Sequence, residues 1–173
     1  LELACGYGEY TTGLSRVHKD KNFIGIDIKG DRIIKGAKLA VDEGRKNAAF
    51  LRTFIHYLAD VFEEGEVSEI WIIHPDPRPK DRDEKKRLTF PTFLELYKTI
   101  LKKDGLVRLK TDNPELYEYS LETIKKQKIK DLKHTNDLYE SELYTDHHNI
   151  ITRYEKKFHE RGFSINYLQF RFN

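Results

Sequence analysis

Strand-like and helix-like patterns alternate along almost the whole chain. Leu1 and Leu3 lead through Ala4 and Cys5 into Gly6-Tyr7-Gly8, a strand end running into a Gly-x-Gly turn. Helix-like sequence follows, with Leu14 and Val17 as its apolar positions, and residues 23–28 read as a second strand with Asp27 at its end. Residues 31–44 predict a helix with Ile33, Ile34, Ala37, Ala40 and Val41 on one side, 48–53 a short strand, and 55–62 another helix. The run Ile70-Trp-Ile-Ile73 is the expected central strand, apolar throughout because both of its faces are covered. Phe90, Phe93, Leu94, Tyr97 and Leu101 recur at i, i+3, i+4, i+7 and i+11, one face of an amphipathic helix. Asp104-Gly105 is expected to close that helix, and 106–110 to form the next strand. Asn113-Pro114 offers an N-cap followed by proline at the first helical position, opening a helix to about Gln127. Two last strands are expected near 129–134 and 165–172, with a helix over about 153–161 between them.

Such alternation predicts an α/β fold: one doubly wound, Rossmann-like domain over 1–173, its mostly parallel seven-stranded sheet covered by helices on both faces. Gly6 and Gly8 permit a tight turn and close approach of backbone to ligand. An acid about 20 residues on can accept from a ribose hydroxyl pair, the logic of nucleotide-binding folds. Thr11 and Thr12 stand where the third glycine of a dinucleotide fingerprint would fall. With Glu2 inside the first strand, that gap favours S-adenosylmethionine over NAD.

Composition narrows the class. The chain is 35% charged with a mean hydropathy of −0.71, and no apolar run approaches the roughly 18 residues that span a bilayer. No membrane partner and a cytoplasmic location are therefore expected. The single cysteine, Cys5, excludes an internal disulfide and fits a reducing compartment. The net charge of +2 is mild, so any grip on nucleic acid must come from local clustering. No residue is Met and residue 1 already belongs to a strand, so the chain is expected to lack its natural start.

The clustering lies after the central strand, in His74-Pro-Asp-Pro-Arg-Pro-Lys-Asp-Arg-Asp-Glu-Lys-Lys-Arg-Leu88. Prolines on either side restrict the backbone around Asp76. Arg78, Lys80, Arg82, Lys85, Lys86 and Arg87 follow within ten residues. A fixed carboxylate beside an anion-attracting patch points to chemistry on nucleic acid; the other reading of this segment by itself is a solvated charged loop.

The run from Asp76 to Leu88, with Lys110-Thr-Asp-Asn113 and Thr152-Arg-Tyr-Glu155 in the same order, resembles the bacterial tRNA (guanine-N7)-methyltransferase family along essentially the whole chain. The resemblance implies methyl transfer from S-adenosylmethionine to guanine N7 in the variable loop of tRNA, by a monomer or homodimer. It assigns Asp76 to catalysis, beside the cofactor methyl and the target base. Glu2, Gly6, Gly8 and Asp27 are assigned with Asp76 to the cofactor, and Lys80, Asp112, Thr152, Arg153, Tyr154 and Glu155 to the substrate. Arg82, Lys85, Lys86 and Arg87 are expected to contact tRNA phosphates. Read alone, Thr152–Glu155 is a capping box opening a helix, and Asp112 a helix cap beside Asn113.

Three positions depart from the family pattern. Phe54 stands where an acid usually faces the cofactor adenine, Arg78 replaces the common Trp of the signature, and His74-Pro75 replaces the usual residues before Asp76. Phe54 and Arg78 are the features that would suit a non-catalytic RNA-binding protein on the same fold; an NAD-linked oxidoreductase is disfavoured by the incomplete glycine fingerprint. No metal is expected, because His147-His148 lacks acids or cysteines at ligand spacing.

Overall fold

The apolar run ending at Ile73 lies in the middle of a seven-stranded sheet. The structure, a computed structural model, describes residues 1–173. The strands are β1 (Glu2–Leu3), β2 (Phe23–Asp27), β3 (Ala48–Arg52), β4 (Val67–Ile73), β5 (Leu101–Thr111), β6 (Ile129–Thr135) and β7 (Asn166–Phe172). Their order is β3-β2-β1-β4-β5-β7-β6. β1 to β5 run parallel, while β7 lies antiparallel to both β5 and β6. The helices are α1 (Glu9–Val17), α2 (Gly30–Asp42), α3 (Pro91–Ile100), α4 (Pro114–Lys125) and α5 (Arg153–His159), with short 3-10 segments at Ile55–Asp60, Asp81–Lys86 and Glu142–His147.

Side chains alternate across a strand, and β4 uses both faces. Ile70 and Ile72 join the main core, where Phe93, Leu94 and Tyr97 of α3 and Leu121 and Ile124 of α4 also pack. Trp71 and Ile73 point into a smaller cluster with Tyr10 and Leu14 of α1 and Phe23. Helices thus cover both faces of a Rossmann-like sheet, as the alternation predicts.

Three details differ from the sequence reading. First, α2 buries Ile33, Gly36 and Ala40, leaving Ile34 and Val41 exposed at 66% and 78%. A Cβ at Gly36 would lie 2.4 Å from the Tyr7 carbonyl oxygen, so the closest approach runs through the glycine and turns the larger residues outward; Val17 of α1 is likewise exposed. Second, the expected helix over 55–62 is a kinked 3-10 segment, with Tyr57 off helical geometry. Third, Asp104-Gly105 does not close α3, which ends at Ile100; it lies within β5, where Asp104 takes a φ of 66° beside a register shift against β4.

The strand order reverses between β1 and β4. In open α/β sheets ligands bind at such a switch point, beyond the carboxyl ends of the strands. The Gly6–Gly8 turn follows β1 and the Pro75–Pro77 segment follows β4, so both sequence-predicted regions meet there.

Candidate active site

The turn after β1 is built by backbone geometry. Gly6 and Gly8 have φ of 53° and 66°. A Cβ at Gly8 would lie 2.1 Å from the Phe50 ring, whereas nothing stands within 4 Å of one at Gly6. The first glycine leaves the backbone open and the second allows close packing. Asp27 holds the turn: its Oδ2 accepts from the Gly6 N–H at 2.8 Å and its Oδ1 from the Lys29 N–H at 2.9 Å.

Asp27 stands on a cleft of about 340 Å³ with Ile28, Phe54, Phe93, Asp76 and Arg78. Ala4 belongs both to this cleft and to a second of about 250 Å³ lined by Glu2, Gly6, His74, Thr152, Arg153 and Tyr154. An open glycine turn, a carboxylate on the rim and an apolar wall fit a nucleoside such as that of S-adenosylmethionine. Phe54 contributes its ring to that wall and brings no acceptor for the adenine amine.

Glu2 is buried at the base of the second cleft. Its Oε2 accepts from the Thr11 N–H at 2.7 Å and the Thr11 hydroxyl at 2.5 Å. Loss of water by burial pushes its carboxyl up to about 7, more than these bonds lower it. The same burial, with Glu2 and Asp27 nearby, pushes the Cys5 thiol up, as suits a packing residue rather than a nucleophile.

After β4 the chain bends sharply, with His74 and Arg78 at φ of 46° and 48°. The Asp76 side chain between them is 60% exposed; its Oδ1 accepts from the Arg78 N–H at 3.2 Å and its Oδ2 lies 3.2 Å from Arg78 Nε. The cations beyond are not equivalent. Lys80, Arg82 and Lys85 are exposed without an ion-pair partner. Lys86 pairs with Asp83 at 2.6 Å and lines the larger cleft. Arg87 donates to the Arg78 carbonyl at 3.2 Å, and its guanidinium lies 4.3 Å over the Tyr119 ring. The segment is therefore a shaped turn with some cations turned inward, rather than a uniform basic loop.

Three of the substrate-assigned residues, Asp112, Tyr154 and Glu155, meet in a polar network that Lys80 and Arg153 do not join. Lys110, fully buried on β5, reaches Glu155 Oε1 at 2.6 Å and donates to the Tyr10 hydroxyl at 2.8 Å. Tyr139 donates its hydroxyl to the same Glu155 oxygen at 2.8 Å. His74 Nδ1 lies 3.1 Å from Asp112 Oδ1, and its Nε2 faces Glu155 Oε2 at 3.6 Å, too long for a hydrogen bond. Tyr154 reaches Asp112 Oδ2 at 3.4 Å. Burial would raise the Glu155 carboxyl, but the facing His74 imidazole and the Lys110 ammonium outweigh it and hold it down at about 2. Burial also opposes charge on Asp112, and the His74 contact keeps its carboxyl below the ordinary range.

Thr152 caps α5 by accepting from the Glu155 N–H at 3.0 Å. The Glu155 side chain does not close a capping box; it turns inward to Lys110 and is fully buried. Arg153 and Tyr154 are exposed, and Arg153 Nε lies 3.2 Å from Glu9. Asp112 leaves the capping of α4 to Asn113, whose Oδ1 accepts from the Leu116 N–H at 2.7 Å. Sequence reasoning missed Lys110, Tyr10 and Tyr139 as parts of this site. Two signals pointed to Lys110: its place at the end of the run Leu106-Val-Arg-Leu-Lys110, and its place at the head of the Lys110-Thr-Asp-Asn113 motif.

A family model described as "Putative methyltransferase" matches residues 1–168. The tRNA (guanine-N(7)-)-methyltransferase of Cytophaga hutchinsonii is 45% identical over 99% of this chain and 79% of its own length. That of Porphyromonas gingivalis is 47% identical over 98% of this chain and 69% of its own. Among solved structures, the 16S rRNA methyltransferase KamB superposes with a TM-score of 0.70 at 13% identity, covering 99% of this chain and 86% of that one. At that identity the likeness speaks for the fold alone.

Proposed function

Because this chain belongs to the tRNA (guanine-N7-)-methyltransferase family, we infer that it is an enzyme transferring a methyl group from S-adenosylmethionine to N7 of a guanine in tRNA. The observation that carries this reading is near-complete coverage by relatives of that name. The whole chain acts as one methyltransferase domain, in the cytoplasm, on the variable loop.

The division of labour among residues is our proposal, supported by the two clefts that share Ala4. Asp27 and the Gly6–Gly8 backbone hold the nucleoside, with Phe54 and Ile28 against the base. Glu2 faces the amino-acid end. Bound S-adenosylmethionine supplies an electrophilic methyl group on a sulfonium. Guanine N7 carries its lone pair in the neutral base, so the chain removes no proton and its task is alignment. As positive charge grows on the guanine ring, the Asp76 carboxylate stabilises it more in the transition state than in the ground state. Asp112, held by His74, accepts from the guanine N1–H and amine. Lys80, Arg153 and Tyr154 contact the substrate, and Thr152 and Glu155 keep their turn in place from below. Lys80, Arg82 and Lys85 are the cations free to meet phosphate, with Lys86 and Arg87 in lesser parts.

Asp76→Asn tests the central role. Single-turnover methylation of unmodified tRNA, with the product nucleoside identified, should fall about 100-fold or more, the usual loss when one electrostatic stabiliser is removed. Thermal unfolding and most tRNA affinity should stay. Near-normal turnover would remove Asp76 from the chemistry.

A further inference from the structure

A line of aromatic rings leaves the substrate side of the site along α5. The His74 and Tyr154 ring centroids are 5.2 Å apart, Tyr154 and Phe158 stack at 4.4 Å, and Phe158 and Phe163 meet edge-on at 5.6 Å. Tyr154 and Phe163 remain 47% and 49% exposed, and neither they nor Phe158 belong to any of the three core clusters. Single exposed rings are ordinary on protein surfaces. Here two exposed rings, Tyr154 beside Asp112 and Phe163 further out, are joined through the half-buried Phe158 into a continuous ridge.

Charge identifies what covers it. Arg153, Lys156, Lys157 and Arg161 are exposed along this stretch against one exposed acid, Glu160. The Arg161 guanidinium lies 5.8 Å over the Phe158 ring. Half-exposed aromatic rings beside a row of cations match single-stranded nucleic acid, whose bases stack on such rings while its phosphates meet the cations. A protein-binding patch would instead be depleted of charge at its centre.

We propose that the Tyr154–Phe158–Phe163 ridge is a stacking platform for the unpaired nucleotides next to the target guanine. It rests on the tRNA-methylating reading and extends the substrate surface beyond the Thr152–Glu155 turn. Phe163 is the outermost ring, so it takes a flanking base rather than the target itself.

The test is the affinity of unmodified tRNA for the parent, Phe163→Ala, Phe163→Tyr and a Lys156→Gln/Lys157→Gln variant across a salt series. Phe163→Ala should weaken binding about five-fold or more, the lower end for one base stacked on an aromatic ring. Its salt slope should stay parental, because stacking releases no counterions, and Phe163→Tyr should restore affinity. The double lysine variant should give a shallower slope. An abasic nucleotide placed in turn on each side of the target should, at one of these positions, cost the parent as much as Phe163→Ala does and cost that variant nothing further. The ridge is overturned if Phe163→Ala binds within two-fold of the parent, if neither abasic tRNA binds more weakly, or if sedimentation shows the substitution changing oligomeric mass at constant tRNA affinity. Failure of the parent itself to methylate tRNA would instead remove the functional reading beneath it.

Discussion

Glu2→Gln should make the protein more stable above neutral pH while weakening its hold on cofactor. The Glu2 carboxyl lies at about 7 in the fold against an ordinary 4.5. A raised acid adds stability that is fully present below pH 4.5 and is lost as pH rises through 7, because the folded state must then bury an unpaired anion. The difference of about 2.5 units corresponds to roughly 3 kcal/mol in full, of which about 2.5 kcal/mol is lost between pH 5 and pH 8. A glutamine carbonyl can still accept both Thr11 bonds. Its amide nitrogen cannot stand in for the second carboxylate oxygen as an acceptor, which returns about 1 kcal/mol. The variant should therefore exceed the parent by about 2 kcal/mol at pH 8, with the gap closing or reversing at pH 5. Denaturant unfolding at the two pH values checks this, and only the parent-minus-variant difference is compared, because other buried acids titrate in both proteins. Calorimetric titration with S-adenosylhomocysteine should show weaker binding by the variant. A gap independent of pH would mean that Glu2 carries no burial penalty, and the electrostatic account of the second cleft would fail.

Lys110→Met should cost about 3–5 kcal/mol, since it strands the buried Glu155 carboxylate without its ammonium; pairing it with Glu155→Leu should recover much of that stability in chemical denaturation, and no recovery would refute the pairing argument. In the basic turn, Arg82→Gln with Lys85→Gln should lower the salt slope of tRNA binding by about 1.5, at roughly 0.7–0.9 per phosphate contact. Arg87→Gln should lower thermal stability more than the slope, since its guanidinium is engaged with Arg78 and Tyr119; an equal slope change in both variants would contradict that division.

Much of this protein is determined locally and can be read in one dimension. The glycine turn, Asp27 at the end of β2, the Asn113 and Thr152 caps, the face of α3 and the both-sides-buried β4 follow from periodicity and from residues whose backbone or capping preferences act within a few positions. The basic cluster after β4 is legible in the same way, and resemblance added the reaction and the roles of the substrate residues. The tertiary structure alone decided how buried charge is compensated. Lys110 finds Glu155 and Tyr10, and His74 finds Asp112 and Glu155, across 38 to 100 residues of chain. It also turned Ile34 and Val41 of α2 outward, because the helix approaches through Gly36. Periodicity tells a residue which side of its own element it occupies, but the partner on that side is set by the strand order and the packing distance, which no local pattern contains.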